Sequence, residues 1–339
     1  MRTATTAEYA RTMEAGPGAE TAALAAAAAG DETAFRALAE PYGRELHVHC
    51  YRMLGSLDDA QDAVQETLVR AWRNLDRFEG RSSFRKWIHS IATNVCLNVR
   101  RGAGASAAAD VLRDPYPDEL LDALPVWDDE PAVRYDRRES IQLAFLAAIQ
   151  LLPPRQRAVL ILRDVLGWSA REVAEALGMS VAGANSTLQR ARAALERQRE
   201  TGRLRPERVP PADELQHALL RRFVAAWEAA DVDGLVSLLR DDAVLAMPPF
   251  PERFVGRAAI GEFLSTVPAG GALDRIPLVP TRANRSPAVA AYMPDDDGVA
   301  RAYGVMVLSV EEDSIAEIVG FARPELVAAF GLPEVHDDV

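Results

Sequence analysis

The chain has 339 residues and a formal charge of −12, with 38 Lys+Arg against 50 Asp+Glu. That length supports two or three domains, each with a sizeable core, and no apolar run approaches the ~20 residues a bilayer span needs. Two cysteines, Cys50 and Cys96, are too few for a disulfide framework. The alanine-, glycine- and threonine-rich residues 1–25 read as a disordered lead-in without the layout of a secretion signal. These features point to a cytoplasmic protein with no membrane partner.

The charge alternates along the chain. Arg70 to Arg101 carries eight basic and two acidic residues, net +6, whereas Gly102 to Glu139 carries four against ten, net −6. From Asp213 to Val339, 10 arginines face 21 carboxylates, net −11. Such alternation is itself a domain map.

In chain order, residues 31–75 show apolar positions at helical spacing, interrupted at Pro41 and at "GSLDD". Within "DDAQDAVQETLVRAW", Asp62, Gln65, Glu66, Val69 and Arg70 share one helical face. That face is either simply solvated or offered to a partner's helical surface. "SSFRKWIHSIATNVCLNVRR" is a further helix with Ser82 or Ser83 as its N-cap. The Gly-, Ala-, Pro- and Asp-rich residues that follow form an extended linker. Its "GAG" lacks the preceding strand and third glycine of a dinucleotide fingerprint. His47, His49 and Cys50 do not make a metal site, because 49 and 50 point apart on a helix and no fourth ligand is near in sequence. A core cysteine and surface histidines are expected, with no metal or cofactor.

Helices resume at Tyr135, pause at "LPP" and continue into "SAREVAEALGMSVAGANSTLQRARAAL", two short helices joined by a glycine-bearing turn. In the second helix, Val181, Ala184, Leu188, Ala191 and Leu195 form the expected buried stripe. Asn185, Ser186, Gln189 and Arg190 lie on or beside the opposite face. Asn, Gln and Arg read adenine and guanine edges in the major groove, although the same side chains also decorate ordinary surface helices. After a second linker the texture changes. A helix from Leu215 precedes valine-rich strands in "AVLAMPPF", "AVAAYMP", "VARAYGVMVLSV" and "SIAEIVGFA", then a closing helix near "PELVAAF". This is an α+β domain.

"DDAQDAVQETLVRAWRNLDRFEGRSSFRKWIHSIATNVCLNVRR" resembles region 2 of the sigma-70 family, in its extracytoplasmic-function group. "LPPRQRAVLILRDVLGWSAREVAEALGMSVAGANSTLQRARAAL" resembles region 4 of the same family. The resemblance implies a sigma factor that binds core RNA polymerase and directs initiation at promoter DNA, rather than a stand-alone helix-turn-helix regulator. It assigns core-polymerase binding to Asp62, Gln65, Glu66 and Arg70. It assigns −10 contacts to Arg81, Phe84, Arg85, Lys86, Trp87, Asn94, Arg100 and Arg101. The chemistry fits, since aromatic rings stack on unstacked bases and arginines neutralise phosphates. The −35 contacts fall to Arg171, Asn185, Ser186, Gln189 and Arg190. The acidic linker resembles sigma segments that thread the RNA exit path.

Residues from about 213 resemble the SnoaL-like family of cone-shaped α+β domains, on "LLRRFVAAWEAADVDGLVSLLRDDAVLAMPP" and "GRAAIGEFL". Some relatives are cyclases or isomerases. Here no histidine lies between His217 and His336, which removes the commonest acid/base. Asp241 and Asp242 can stand in or form an exposed turn. Aromatic residues such as Trp227, Phe250, Phe263, Tyr292 and Tyr303 line a ligand pocket or fill the core. The expected fold is multidomain: all-α sigma region 2 (26–101), acidic linker (102–134), all-α sigma region 4 with its helix-turn-helix (135–202), linker (203–212), α+β SnoaL-like domain (213–331) and tail (332–339). No enzyme is expected. The C-terminal domain is expected to contact regions 2 or 4 and tune activity in cis, with a small-molecule ligand as an option.

Overall fold

The computed structural model describes residues 17–80, 82–102, 114–122, 151–200, 213–248, 250–295 and 297–336. They form two units. One holds the described residues up to Gly102 and residues 151–198, and the other holds Asp114–Asp122 and the residues from Asp213 onward.

The first unit opens with α1 (Pro17–Ala28), α2 (Glu32–Ala39), α3 (Gly43–Leu54), α4 (Leu57–Arg73) and α5 (Phe84–Gly102). The expected interruptions become turns with identifiable caps. Pro41 sits in a 3-10 turn, Glu40–Tyr42. Gly55, at φ 81°, ends α3 in the left-handed region open to glycine. Ser56 then caps α4 by accepting the Asp59 N–H at 3.2 Å. Ser83 is the cap of α5, accepting from Lys86 N–H at 3.4 Å. The fully buried Leu38, Leu46, Tyr51, Met53, Phe84 and Ile88 form the centre of this bundle. One correction concerns the start: α1 begins inside the segment expected to be disordered and buries Ala23 and Ala27. Small alanines give a weak apolar signal, so composition alone reads as disorder. A short helix, α6 (Asp118–Asp122), belongs to the second unit.

The rest of the first unit is α7 (Pro154–Leu160), a π-turn (Ile161–Val165), α8 (Ala170–Leu177) and α9 (Val181–Glu200). Ser169 and Glu172 make a reciprocal capping box at the start of α8. Gly178, at φ 59°, closes α8 and turns the chain into α9. Val173, Ala184, Leu188 and Ala191 bury the seam of this helix-turn-helix. Val181 departs from the expected stripe and is 45% exposed, because the first residue of α9 projects before the buried seam begins. The helix expected from Tyr135 lies outside the described residues.

The second unit comprises α10 (Asp213–Glu228), α11 (Val232–Ser237), β1 (Leu239–Ala246), β2 (Arg253–Val255), α12 (Arg257–Thr266), β3 (Leu278–Ala283), β4 (Ser286–Pro294), β5 (Ala300–Glu311), β6 (Ser314–Phe321) and α13 (Pro324–Ala329). The sheet order is β2-β1-β6-β5-β4-β3, with β1 and β6 parallel and the other pairs antiparallel. Its core packs α10, α11 and α12 over one face, through Phe223, Trp227, Leu235, Ile260 and Leu308. A side chain has no room at Gly304, where a Cβ would fall 1.9 Å from the Phe321 carbonyl oxygen. Part of the expected tail is sheet-bound. Ala302 N–H donates to Glu334 O at 2.8 Å and His336 N–H to Ala300 O at 2.8 Å.

Candidate functional site: polymerase and promoter faces

On α4, burial of Leu57, Ala60, Ala63, Val64, Thr67 and Ala71 fixes which side faces the bundle. Asp62, Gln65 and Glu66 are exposed on the other side, with Arg70 half-buried beside them. Arg70 Nε–H donates to Glu66 Oε1 at 2.6 Å, and Val69 adds an apolar spot, 42% exposed. The residues expected to meet the polymerase therefore share one stripe on the outer side of α4. It joins two carboxylates, an amide and a guanidinium around an apolar centre, which suits a partner helix.

The −10 helix divides differently from expectation. Phe84 is 0% exposed, packed against Tyr42 at 5.8 Å, Phe78 at 5.9 Å and Trp87 at 5.6 Å between ring centroids. It is a core residue, which corrects its assignment as a base-stacking ring. Trp87 stays half-buried at the rim of that cluster. Arg85 is bound by both carboxylate oxygens of Glu45. Lys86 Nζ pairs with Glu172 Oε1 at 2.5 Å, and Asn94 Nδ2–H donates to Ala176 O at 3.0 Å. Glu172 and Ala176 belong to α8, so region 4 packs across the face expected to follow melted DNA. Arg157 fastens the same packing. Its buried guanidinium donates to Met53 O at 2.5 Å and Leu152 O at 3.1 Å, satisfying a carbonyl left over at the end of α3. Arg100 and Arg101 lie in α5, and Arg81 lies outside the described residues.

The residues expected to read the −35 element lie together on the outer side of α9. With Ala184, Leu188 and Ala191 buried, Asn185, Gln189 and Arg190 are exposed and Ser186 is half-buried. Arg190 Nη2–H donates to Thr187 Oγ1 at 2.9 Å, which steadies its base. Arg171 is exposed on α8, next to Glu175 at 3.2 Å. Arg192 braces α9 by a two-pronged contact with Asp164, at 3.0 and 2.7 Å.

Sequence reasoning missed a buried polar cluster beneath α5. His49 is fully buried, not at the surface, and its Nε2 lies 2.9 Å from Thr93 Oγ1. The Thr93 hydroxyl donates to His89 O at 2.8 Å, which leaves His49 Nε2 as the donor in their contact. Burial first, then the charges of His89 and Arg52, hold His49 well below the usual histidine range. Among the described residues, no three His, Cys, Asp or Glu side chains are placed to hold a metal ion. No helix of the described residues is long and apolar enough to cross a membrane.

In the second unit, Trp227, Phe263 and Tyr292 are core residues. The Trp227 indole donates to Ile276 O at 3.0 Å. Phe250 and Tyr303 are 57% and 41% exposed, facing outward. Asp241 and Asp242 are exposed on β1 rather than in a turn, paired with Arg257 and Arg240.

Comparison with known proteins follows this layout. Residues 38–105 match sigma-70 region 2, residues 142–195 sigma-70 region 4, and residues 220–318 the SnoaL-like domain. The chain is 43% identical over 314 residues to the ECF RNA polymerase sigma factor SigG of Mycobacterium tuberculosis, covering 88% of this chain and 84% of that one. It is 29% identical to SigW of Bacillus subtilis over 50% of this chain and 90% of that one. The crystal structure of the Mycobacterium tuberculosis ECF sigma factor SigJ shares the fold, with a TM-score of 0.59 at 23% identity over 86% of this chain and 97% of that one. The chain belongs to the extracytoplasmic-function sigma factors of the sigma-70 family, with a SnoaL-like domain following its sigma regions.

Proposed function

We propose that this chain acts in the cytoplasm, binds core RNA polymerase and directs it to promoters carrying −10 and −35 elements. In this reading Asp62, Gln65, Glu66 and Arg70 of α4 meet the polymerase. Asn185, Ser186, Gln189 and Arg190 of α9 read the −35 element, with Arg171 on a phosphate. Arg81, Arg85, Lys86, Trp87, Asn94, Arg100 and Arg101 serve the −10 element, Trp87 alone offering an aromatic face to bases. The observation that carries the reading is the exposed stripe on α4 in the same unit as the exposed reader face of α9. A solitary DNA-binding module has no use for the first.

The packed unit corresponds to a resting state. Lys86 and Asn94 are engaged by α8, so the −10 face opens when region 4 moves away from region 2. The acidity of the whole chain is then no obstacle, because polymerase delivers two locally basic surfaces to DNA. The C-terminal domain is read as a regulatory module acting in cis and not as a catalyst. The core roles of Trp227, Phe263 and Tyr292 support this, and a small-molecule ligand would tune it from outside that core. Gln65→Ala with Glu66→Ala tests the polymerase face. Affinity for core enzyme is expected to fall about tenfold or more, as when two interface side chains of ~1 kcal/mol each are lost. Unchanged affinity contradicts the assignment.

A further inference from the structure

Asp114–Asp122 comes from the acidic linker between the sigma regions, yet it is built into the C-terminal domain. Asp114, Tyr116 and Asp118 are 6%, 1% and 4% exposed. Asp114, Tyr116 and Asp118 each meet partners on β3, the β3–β4 turn or the start of α13. Arg323 holds the Asp114 carboxylate. Tyr116 N–H donates to Asn284 Oδ1 at 2.7 Å, and Asn284 N–H donates back to Tyr116 O at 2.9 Å. Pro117 stands opposite Ala283 as an antiparallel bridge. Asp118 accepts from Arg285 N–H at 2.8 Å and from Arg282 Nε–H at 3.3 Å. Buried carboxylates need such partners, because an unpaired one is costly.

The receiving turn is shaped for this ligand. Asn284 and Arg285 join β3 to β4 with φ of 53° and 64°, the two-residue hairpin turn whose second position favours glycine. An arginine there carries a backbone strain that a glycine would not. Asn284 supplies the side-chain acceptor for Tyr116, and Arg285 supplies charge beside Asp118. A local rule is broken where a binding function offsets it.

We propose that β3, the Asn284–Arg285 turn and Arg323 form a peptide-binding site of the C-terminal domain. Its ligand is the chain's own segment Asp114–Leu121, an acidic peptide read by two carboxylates around a Tyr-Pro centre. The site empties when regions 2 and 4 separate to engage promoter DNA, a clause that rests on the sigma-factor reading.

Connectivity explains why occupancy matters. With the site empty, region 2 reaches the C-terminal domain only by way of region 4. With it filled, residues 103–113 connect Gly102 to the domain over at most about 40 Å of chain, and region 4 is connected to the domain on both sides, through residues 123–150 and 201–212. Tethers this short hold regions 2 and 4 at an effective concentration in the millimolar range, favouring the packed form joined by Lys86 and Glu172.

The test locks the peptide in place. The Tyr116 carbonyl bond to Asn284 N–H makes Pro117 and Ala283 a non-hydrogen-bonded antiparallel pair, the geometry in which facing Cα atoms lie about 4.5 Å apart, within disulfide range. The full chain carrying Pro117→Cys and Ala283→Cys is expected to cross-link under mild oxidation without denaturant. Its run-off transcription with core polymerase should then fall at least tenfold and return on reduction, while the wild-type chain is indifferent to the oxidant. Failure to cross-link while folded overturns the site. A cross-linked chain that initiates as well as the reduced one overturns the emptying. Adding Asp118→Ala, in the peptide and outside the domain's core, should slow cross-linking about tenfold, the loss expected for one charge-assisted contact. An unchanged rate also overturns the site. If the wild-type and reduced chains both fail to initiate, the sigma reading falls, while the cross-linking result still decides the peptide site.

Discussion

Lys86 Nζ lies 2.5 Å from Glu172 Oε1, joining the helix expected to follow melted promoter DNA to the first helix of the helix-turn-helix. Glu172 also completes the capping box by accepting Ser169 N–H at 2.7 Å, so its carboxylate serves α8 and covers Lys86 together. The two roles are separable. Glu172→Gln keeps the cap, because glutamine serves at that position, and removes the charge. Both side chains are over a third exposed or close to it, 38% and 34%, so little stability should be lost. Affinity of the free chain for a single-stranded oligonucleotide is expected to rise about two- to fivefold, as Lys86 becomes available to phosphate. Anisotropy titration measures this, and no change would mean the pair does not gate the face.

Phe84 and Trp87 should part company under substitution. Phe84→Ala removes a fully buried ring and is expected to cost about 3–5 kcal/mol of unfolding free energy, measured in urea. Trp87→Ala, at the half-buried rim, should cost less stability and lose more run-off transcript per folded molecule. The opposite ranking would return Phe84 to the DNA.

The −35 face gives a sequence-level expectation. Arg190→Ala should relax preference at one base pair of the −35 element, by roughly 1–3 kcal/mol if its contact is two-pronged on guanine. A panel of single-base promoter variants measures it. Unchanged preference would place the reading side chains elsewhere on α9.

His49 makes the first unit sensitive to acid. Its folded-state pKa is held well below 6.5 by burial, and that of His47 is lowered in the same direction, also by burial. A histidine kept neutral by the fold contributes stability that is present in full above the unfolded-chain value and lost as pH falls below it. Stability should therefore decline between pH 6.5 and 5.5 with a slope of up to about 1.4 kcal/mol per pH unit for one such group. Urea titrations across that range, with His49→Gln flattening the slope, provide the check. A flat wild-type profile would contradict a buried neutral His49.

The faces legible in the sequence are those that one helix defines by itself. On α4 and α9 the buried residues recur at three and four positions, and the exposed face follows by subtraction. Phe84 was legible by the same rule, since Phe84, Ile88, Ala92, Val95 and Cys96 make one buried stripe on α5, but family resemblance assigned it to DNA. Short or non-local features were not legible. β2 has three residues. Lys86 meets Glu172 and Tyr116 meets Asn284 across 86 and 168 positions, distances at which no periodicity operates. The linker reads as solvent-seeking because Asp114 and Asp118 find their arginines only in the fold.

The most direct measurement of the central claim is run-off transcription from a promoter enriched by the chain itself, with core RNA polymerase supplied alone or with the full chain. Defined starts that appear only with the chain, and that weaken with Gln65→Ala and Glu66→Ala, are the expected result. Starts that are unchanged by adding the chain, including with residues 210–339 removed, would contradict the sigma-factor reading.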